Sequence, residues 1–181
     1  MGLSWHQGPL APDSIGRFLV PGPLPERLLY AEPLRRRMRV RFADGWIADS
    51  EDAVLLYEPG RYPAAYFPLG DITVGVLEPG EHTTRHRDLG PTSWYTVRAG
   101  GQTAQRAAWQ HTDLPRFATE LKGRAAFAWQ AMDAFHEEDE RIFGHAADSY
   151  HCNDIRQTSP PSRRRRRRPG HRRQQPSTGP V

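Results

Sequence analysis

The chain has 181 residues, with 25 basic against 21 acidic side chains, a formal net charge of +4, 37% hydrophobic residues, 17 prolines and 16 glycines. That length fits one domain with extensions better than two full domains. The single cysteine, Cys152, excludes an internal disulfide scaffold, and no segment approaches the ~20 apolar residues of a membrane span. Charge is unevenly spread. Nine arginines and no acidic residue lie in residues 156–181, which leaves 16 basic residues against all 21 acidic ones, a formal −5, in residues 1–155. The basic balance belongs to the tail and says nothing of nucleic acid at the domain itself. Met1–Gly16 holds no apolar run of signal-peptide length, so a cytoplasmic location is the expectation.

In chain order, residues 1–34 read as an irregular arm. Pro9, Pro12, Pro21, Pro23, Pro25 and Pro33 remove backbone donors too often for regular structure. From Arg37 the pattern changes: Met38, Val40 and Phe42 alternate with Arg37, Arg39 and Arg41, the period of a half-buried strand. Asp44-Gly45 then signals a hairpin turn into a strand starting at Trp46. Further strands are expected at Val54–Glu58, Ala64–Phe67, Ile72–Leu77, Trp94–Arg98, Ala104–Trp109 and Ala125–Trp129. Turn chemistry separates them at Glu58-Pro59-Gly60, Pro68–Asp71, Glu78-Pro79-Gly80 and Ala99-Gly100-Gly101. Short strands at this spacing indicate an all-β sandwich or barrel-like body.

One short helix is expected near Leu114–Lys122, with Asp113 as its cap, Pro115 in its first turn and Gly123 after its end. Asp133–Phe143, with Glu137 to Glu140 all acidic, reads equally as a short helix or an acidic turn. Residues 160–181 contain Arg163–Arg168 among Pro, Gly, Gln and Ser, cannot bury enough apolar surface to offset ordering entropy, and are expected to be disordered. The domain is therefore placed at residues 35–159.

The stretches Val40–Asp49, Ala65–Pro68 with Asp71, Thr84–Tyr95, Ala108-Trp109, Lys122–Phe127, Asp133–Glu140 and Asp148–Asp154 resemble, in the same order, a bacterial family known only as domain of unknown function 427, also labelled nucleotidyltransferase-like. The resemblance implies a mainly β fold, a β-tent or pseudo-barrel of short antiparallel strands similar to that of methionine-R-sulfoxide reductases. It also implies likeness to the first copy of a tandem form found in actinobacteria, with a second copy as a possible partner. Where the family often reads Thr-x-Cys-Pro-Tyr-Lys-Gly, this chain has Thr84-Arg85-His86-Arg87-Asp88-Leu89-Gly90, without the thiol or the amine. After Ser159 it departs again, into an Arg/Pro-rich run of the kind that out-of-frame translation of GC-rich DNA produces. A frameshifted or truncated end is the expectation there.

Tyr66, Asp71, Thr84 and His86 stand at family motif positions, and with Trp94 and Trp109 they form the candidate pocket. Asp71 beside His86 would make an oriented acid–base pair, whereas turn capping by Asp71 and loop satisfaction by Thr84 is the structural alternative, and the one favoured. Tyr66, Phe67, Trp94, Tyr95, Trp109, Phe127 and Trp129 wall a pocket or simply fill the core, the latter being the commoner outcome. His82, His86, His111, His145, His151 and Cys152 match no metal-ligand spacing, so neither metal nor cofactor is expected. Phosphate-loop glycines are missing as well, which leaves nucleotidyl transfer poorly supported. The leading reading is a domain that binds a small molecule or protein partner, with no reaction assignable. An enzyme centred on Asp71, Thr84 and His86 is one alternative, and non-specific nucleic-acid binding by the arginine tail is the other.

Overall fold

The computed structural model describes residues 3–5 and 27–145. The arginine run, His151, Cys152 and most of the proline-rich arm lie outside the described residues. Two sheets make up the rest. The smaller contains β1 (Leu3–Trp5), β3 (Met38–Phe42), β4 (Gly45–Ser50), β11 (Ala134–Glu137) and β12 (Glu140–His145), in the order β1-β12-β11-β3-β4. Its pairings are antiparallel except for β1 with β12. The larger contains β2 (Tyr30–Leu34), β5 (Ala53–Tyr57), β6 (Ala64–Pro68), β7 (Leu77–His86), β8 (Gly90–Ala99), β9 (Gln102–His111) and β10 (Arg124–Phe127). It is antiparallel throughout, in the order β2-β5-β6-β10-β9-β8-β7. Among the described residues neither sheet closes on itself, so the fold is mainly β without being a closed barrel.

Side-chain alternation decides what each face of the larger sheet does. Ala53, Leu55, Ala65, Phe67, Val97, Ala108, Ala125 and Phe127 point to the inner face and pack with Met38, Val40, Ile47, Phe135 and Ile142 of the smaller sheet. Phe67 is fully buried there, with its ring 5.8 Å from that of Phe127. Val54, Leu56, Tyr66 and Ala126, on the outer face of the same strands, pack with Leu89, Ala118 and Leu121. A strand covered on both faces must be apolar throughout, which is why Ala53–Tyr57 reads as an unbroken run.

Several expected elements change on contact with the structure. The β3–β4 turn is Ala43-Asp44, both at positive φ, and Gly45 already pairs with Phe42. Gly100 and Gly101 make the corresponding β8–β9 turn at positive φ, and a Cβ on Gly100 would fall 2.9 Å from Ala43. Ile72–Leu77 is not a strand. A 3₁₀ turn at Leu69–Asp71 leads into a bend in which Gly75 takes φ +82° and Val74 is 98% exposed. Glu78-Pro79-Gly80 is not a separator either. It lies within β7, where the pairing with β8 slips between Pro79 and Thr83, a bulge that tolerates both residue types.

The expected helix shrinks to 3₁₀ structure at Arg116–Leu121, kinked at Ala118. Trp129 opens a 3₁₀ turn after β10, and the acidic run is the tight turn between β11 and β12. Tyr30–Leu34, at the end of the arm, is an edge strand paired with β5. Among the described residues no helix is long and apolar enough to cross a membrane.

Candidate functional site

The outer face of the larger sheet is only partly covered. Beside the apolar cluster a cavity of about 580 Å³ opens over β6, β9, β8 and β7, within the size range of small-molecule sites. Strand register brings its floor together: Tyr66 pairs with Ala126, Ala126 with Trp109, Trp109 with Trp94, and Thr92 with both His111 and Thr84. Two-residue alternation then places Tyr66, Trp109, His111, Thr92, Trp94, Thr84 and His86 on one side. Gly90 holds the end of this floor tight. It sits at φ +82°, and a Cβ there would fall 2.6 Å from the carbonyl oxygen of Asp113.

Two hydrogen-bond networks order the polar side chains. The first centres on His86, whose Nδ1 accepts the backbone N–H groups of Asp88 and Leu89, each at 3.1 Å. A nitrogen that accepts carries no proton, so the ring proton sits on Nε2 and is donated to Glu58 Oε2 at 2.8 Å. Glu58 and His86 are both mostly buried, at 12% and 10% side-chain exposure. The second runs across the strands. Trp109 Nε1–H donates to the Tyr66 hydroxyl at 3.0 Å, that hydroxyl meets His111 Nε2 at 3.0 Å, and His111 Nδ1 meets Thr92 Oγ1 at 2.9 Å. Trp94 Nε1–H donates to Thr84 Oγ1 at 2.9 Å, and the Trp94 and Trp109 rings lie 5.4 Å apart.

Burial controls the protonation of the second network. It pushes the His111 imidazole down to about 4, with the neighbouring His86 ring acting in the same direction. It also pushes the Tyr66 phenol well above its ordinary value. Near neutral pH the chain Trp109–Tyr66–His111–Thr92 is therefore uncharged, with one His111 nitrogen donating and the other accepting. The charge lies at the rim, where Arg27, Arg61, Arg85 and Arg87 line the opening. Arg27 is paired with Asp88 at 2.8 Å, and Arg61 stands 3.9 Å from Glu58. No ion pair holds Arg85 or Arg87 among the described residues.

Of the residues expected to form a pocket, Tyr66, Thr84, His86, Trp94 and Trp109 line this one cavity. Asp71 does not. Its carboxylate accepts the Ser50 hydroxyl at 2.6 Å, at the end of the 3₁₀ turn, so the Asp71–His86 pair is not formed and Glu58 holds the imidazole instead. The convergence of Asp71, Thr84 and His86 that the enzyme alternative requires is therefore not formed. The aromatic residues divide between two duties: Phe67, Tyr95, Phe127 and Trp129 go to the inner core, while Tyr66, Trp94 and Trp109 go to the cavity. Sequence patterning does not single out Glu58, Thr92 or the rim arginines, and it offers His111 only as a metal donor. The repeated i, i+2 pairs Thr84/His86, Thr92/Trp94 and Trp109/His111 carried the missing signal. Among the described residues, no group of three or more His, Cys, Asp or Glu side chains is arranged to hold a metal ion.

Fold and site together define a two-sheet β domain with a ligand-sized, aromatic-floored cavity on its larger sheet. A family model described as a domain of unknown function, DUF427, matches residues 30–138, more than half of the chain. The chain belongs to that family. A search of the curated proteins found no match.

Proposed function

We propose that the domain is a binding module for a small molecule carrying an anionic group, seated in the cavity over β6 to β9. The observation that carries this reading is that two exposed arginines, Arg85 and Arg87, held by no ion pair among the described residues, line a cavity walled by Trp94, Trp109 and Tyr66. Guanidinium forks match carboxylate and phosphate oxygens, and indole faces take a flat apolar group. Catalysis is the weaker reading, because both nitrogens of His86 and both of His111 are already engaged by protein groups.

Binding of phenyl phosphate and benzoate, against neutral benzyl alcohol, tests the proposal through quenching of the cavity tryptophans. The anions are expected to bind at least about tenfold more tightly, with affinity falling as salt rises, and Arg85→Ala/Arg87→Ala is expected to remove that advantage. Equal binding of charged and neutral probes by the parent protein sinks the proposal.

A further inference from the structure

The direction of the hydrogen bonds on the cavity floor bears on where the ligand's charged group sits. An indole N–H can only donate, so the Tyr66 oxygen accepts from Trp109 Nε1, and the Tyr66 O–H needs an acceptor of its own. Among the described residues that acceptor is His111 Nε2, at 3.0 Å. The His111 ring is uncharged near neutral pH, because burial holds it down to about 4. Its single proton then lies on Nδ1 and is donated to Thr92 Oγ1 at 2.9 Å. Thr92 is 4% exposed and lines the cavity, and its own O–H has no acceptor among the described residues. The neighbouring strand repeats the pattern. Trp94 Nε1–H donates to Thr84 Oγ1, and the Thr84 O–H likewise meets no acceptor among the described residues. Thr84 and Thr92 are register partners across β7 and β8, which sets their Cβ atoms about 4.5–5.5 Å apart. Two ring N–H groups thus make both hydroxyls acceptors toward the protein and donors toward the cavity, and a group entering the cavity completes them only by accepting.

We infer that the ligand's anionic group is an oxyanion, a carboxylate or a phosphate, seated on the Thr84–Thr92 pair with one oxygen accepting from each hydroxyl. The inference rests on the anion-binding reading above and adds to it the groups that fix the head of the ligand. Hydrogen bonds from a hydroxyl to a charged oxygen are short and about twice as strong as neutral ones, so the pair orients the head while Arg85 and Arg87 supply charge. Trp109, Tyr66 and His111 are positioning residues here. They set the direction of the Thr92 hydroxyl.

Two measurements on the full chain test the idea. The first needs no ligand: proton–nitrogen NMR of the imidazole near neutral pH is expected to show His111 protonated on Nδ1 and bare on Nε2. A proton on Nε2 reverses the chain, turns the Thr92 O–H toward His111 and overturns the inference. The second is calorimetry with benzoate and phenyl phosphate, whose two arms report which oxyanion is held. Thr92→Val is expected to weaken whichever binds by about tenfold or more, and Thr84→Val, at the more exposed position, by a smaller factor. Thr92→Ser keeps the hydroxyl and is expected to bind nearly as the parent does. Should Thr92→Val fail to fold, Thr84→Val and the His111 proton still decide. Parent-like binding by the valine variants, with Arg85→Ala/Arg87→Ala still removing the preference for anions, overturns the role of the hydroxyls and leaves the anion site standing. Failure of both anions to bind the parent protein overturns both readings.

Discussion

The two faces of the seven-stranded sheet are built by the same strands and do opposite things. On the inner face Phe67, Ala125, Phe127 and Val97 meet the smaller sheet with no polar atom among their side chains. One residue along each strand, on the outer face, Tyr66, Trp109, Thr92 and His111 form a chain of hydrogen bonds beneath an open cavity. Backbone and curvature are shared, so the difference lies in side chains alone. The inner face supplies stability through close packing, and the outer face spends part of the sheet on groups whose pairing must be complete.

The sharpest way to break this contrast is to cut one side chain from each face. Phe67→Ala removes a fully buried ring and is expected to lower unfolding free energy by about 3–5 kcal/mol in urea titrations. Tyr66→Phe keeps the ring and removes only the hydroxyl, leaving the Trp109 indole N–H and one His111 nitrogen without their partner. About 1–3 kcal/mol is expected from the same measurement. A larger loss for Tyr66→Phe than for Phe67→Ala would contradict the division of labour.

The last effect concerns pH and appears only on acidification. His111 has a folded-state value near 4 against an ordinary 6.5, so the unfolded chain binds its proton first. Its contribution to stability is therefore complete above about 6.5 and is lost as pH falls from there toward 4. His111→Gln is expected to flatten the fall of the urea midpoint across that window relative to the parent protein. An unchanged slope would place the sensitivity in other groups.

Much of the architecture was legible in the residues. Met38-Val40-Phe42 alternates because β3 has one face on the core, and Ala43-Asp44-Gly45 lies at a turn as its chemistry predicts, displaced by one residue. Misreadings arose where two local signals competed. Ile72, Val74 and Val76 alternate like a strand, yet Gly75 at positive φ turns the chain and leaves Val74 in solvent. Pro79 and Gly80 look like a stop, yet they occupy a bulge in an edge strand, where a missing donor and an irregular backbone are tolerated.

At the site, His86 was identifiable and its partner was not. Which carboxylate reaches a histidine depends on how strands are ordered, and Glu58 lies just beyond the end of β5, 28 residues away in the chain. Nothing local to either residue encodes that approach. Asp71 was the nearer carboxylate in sequence, and it went to Ser50.

The proline-bearing margins of the large sheet have a consequence for assembly. Pro33 lies in β2 and Pro79 in the slipped part of β7, the two outermost strands. A proline has no amide donor to offer an incoming strand from another molecule, and its place on an edge strand guards a sheet against growing sideways into aggregates.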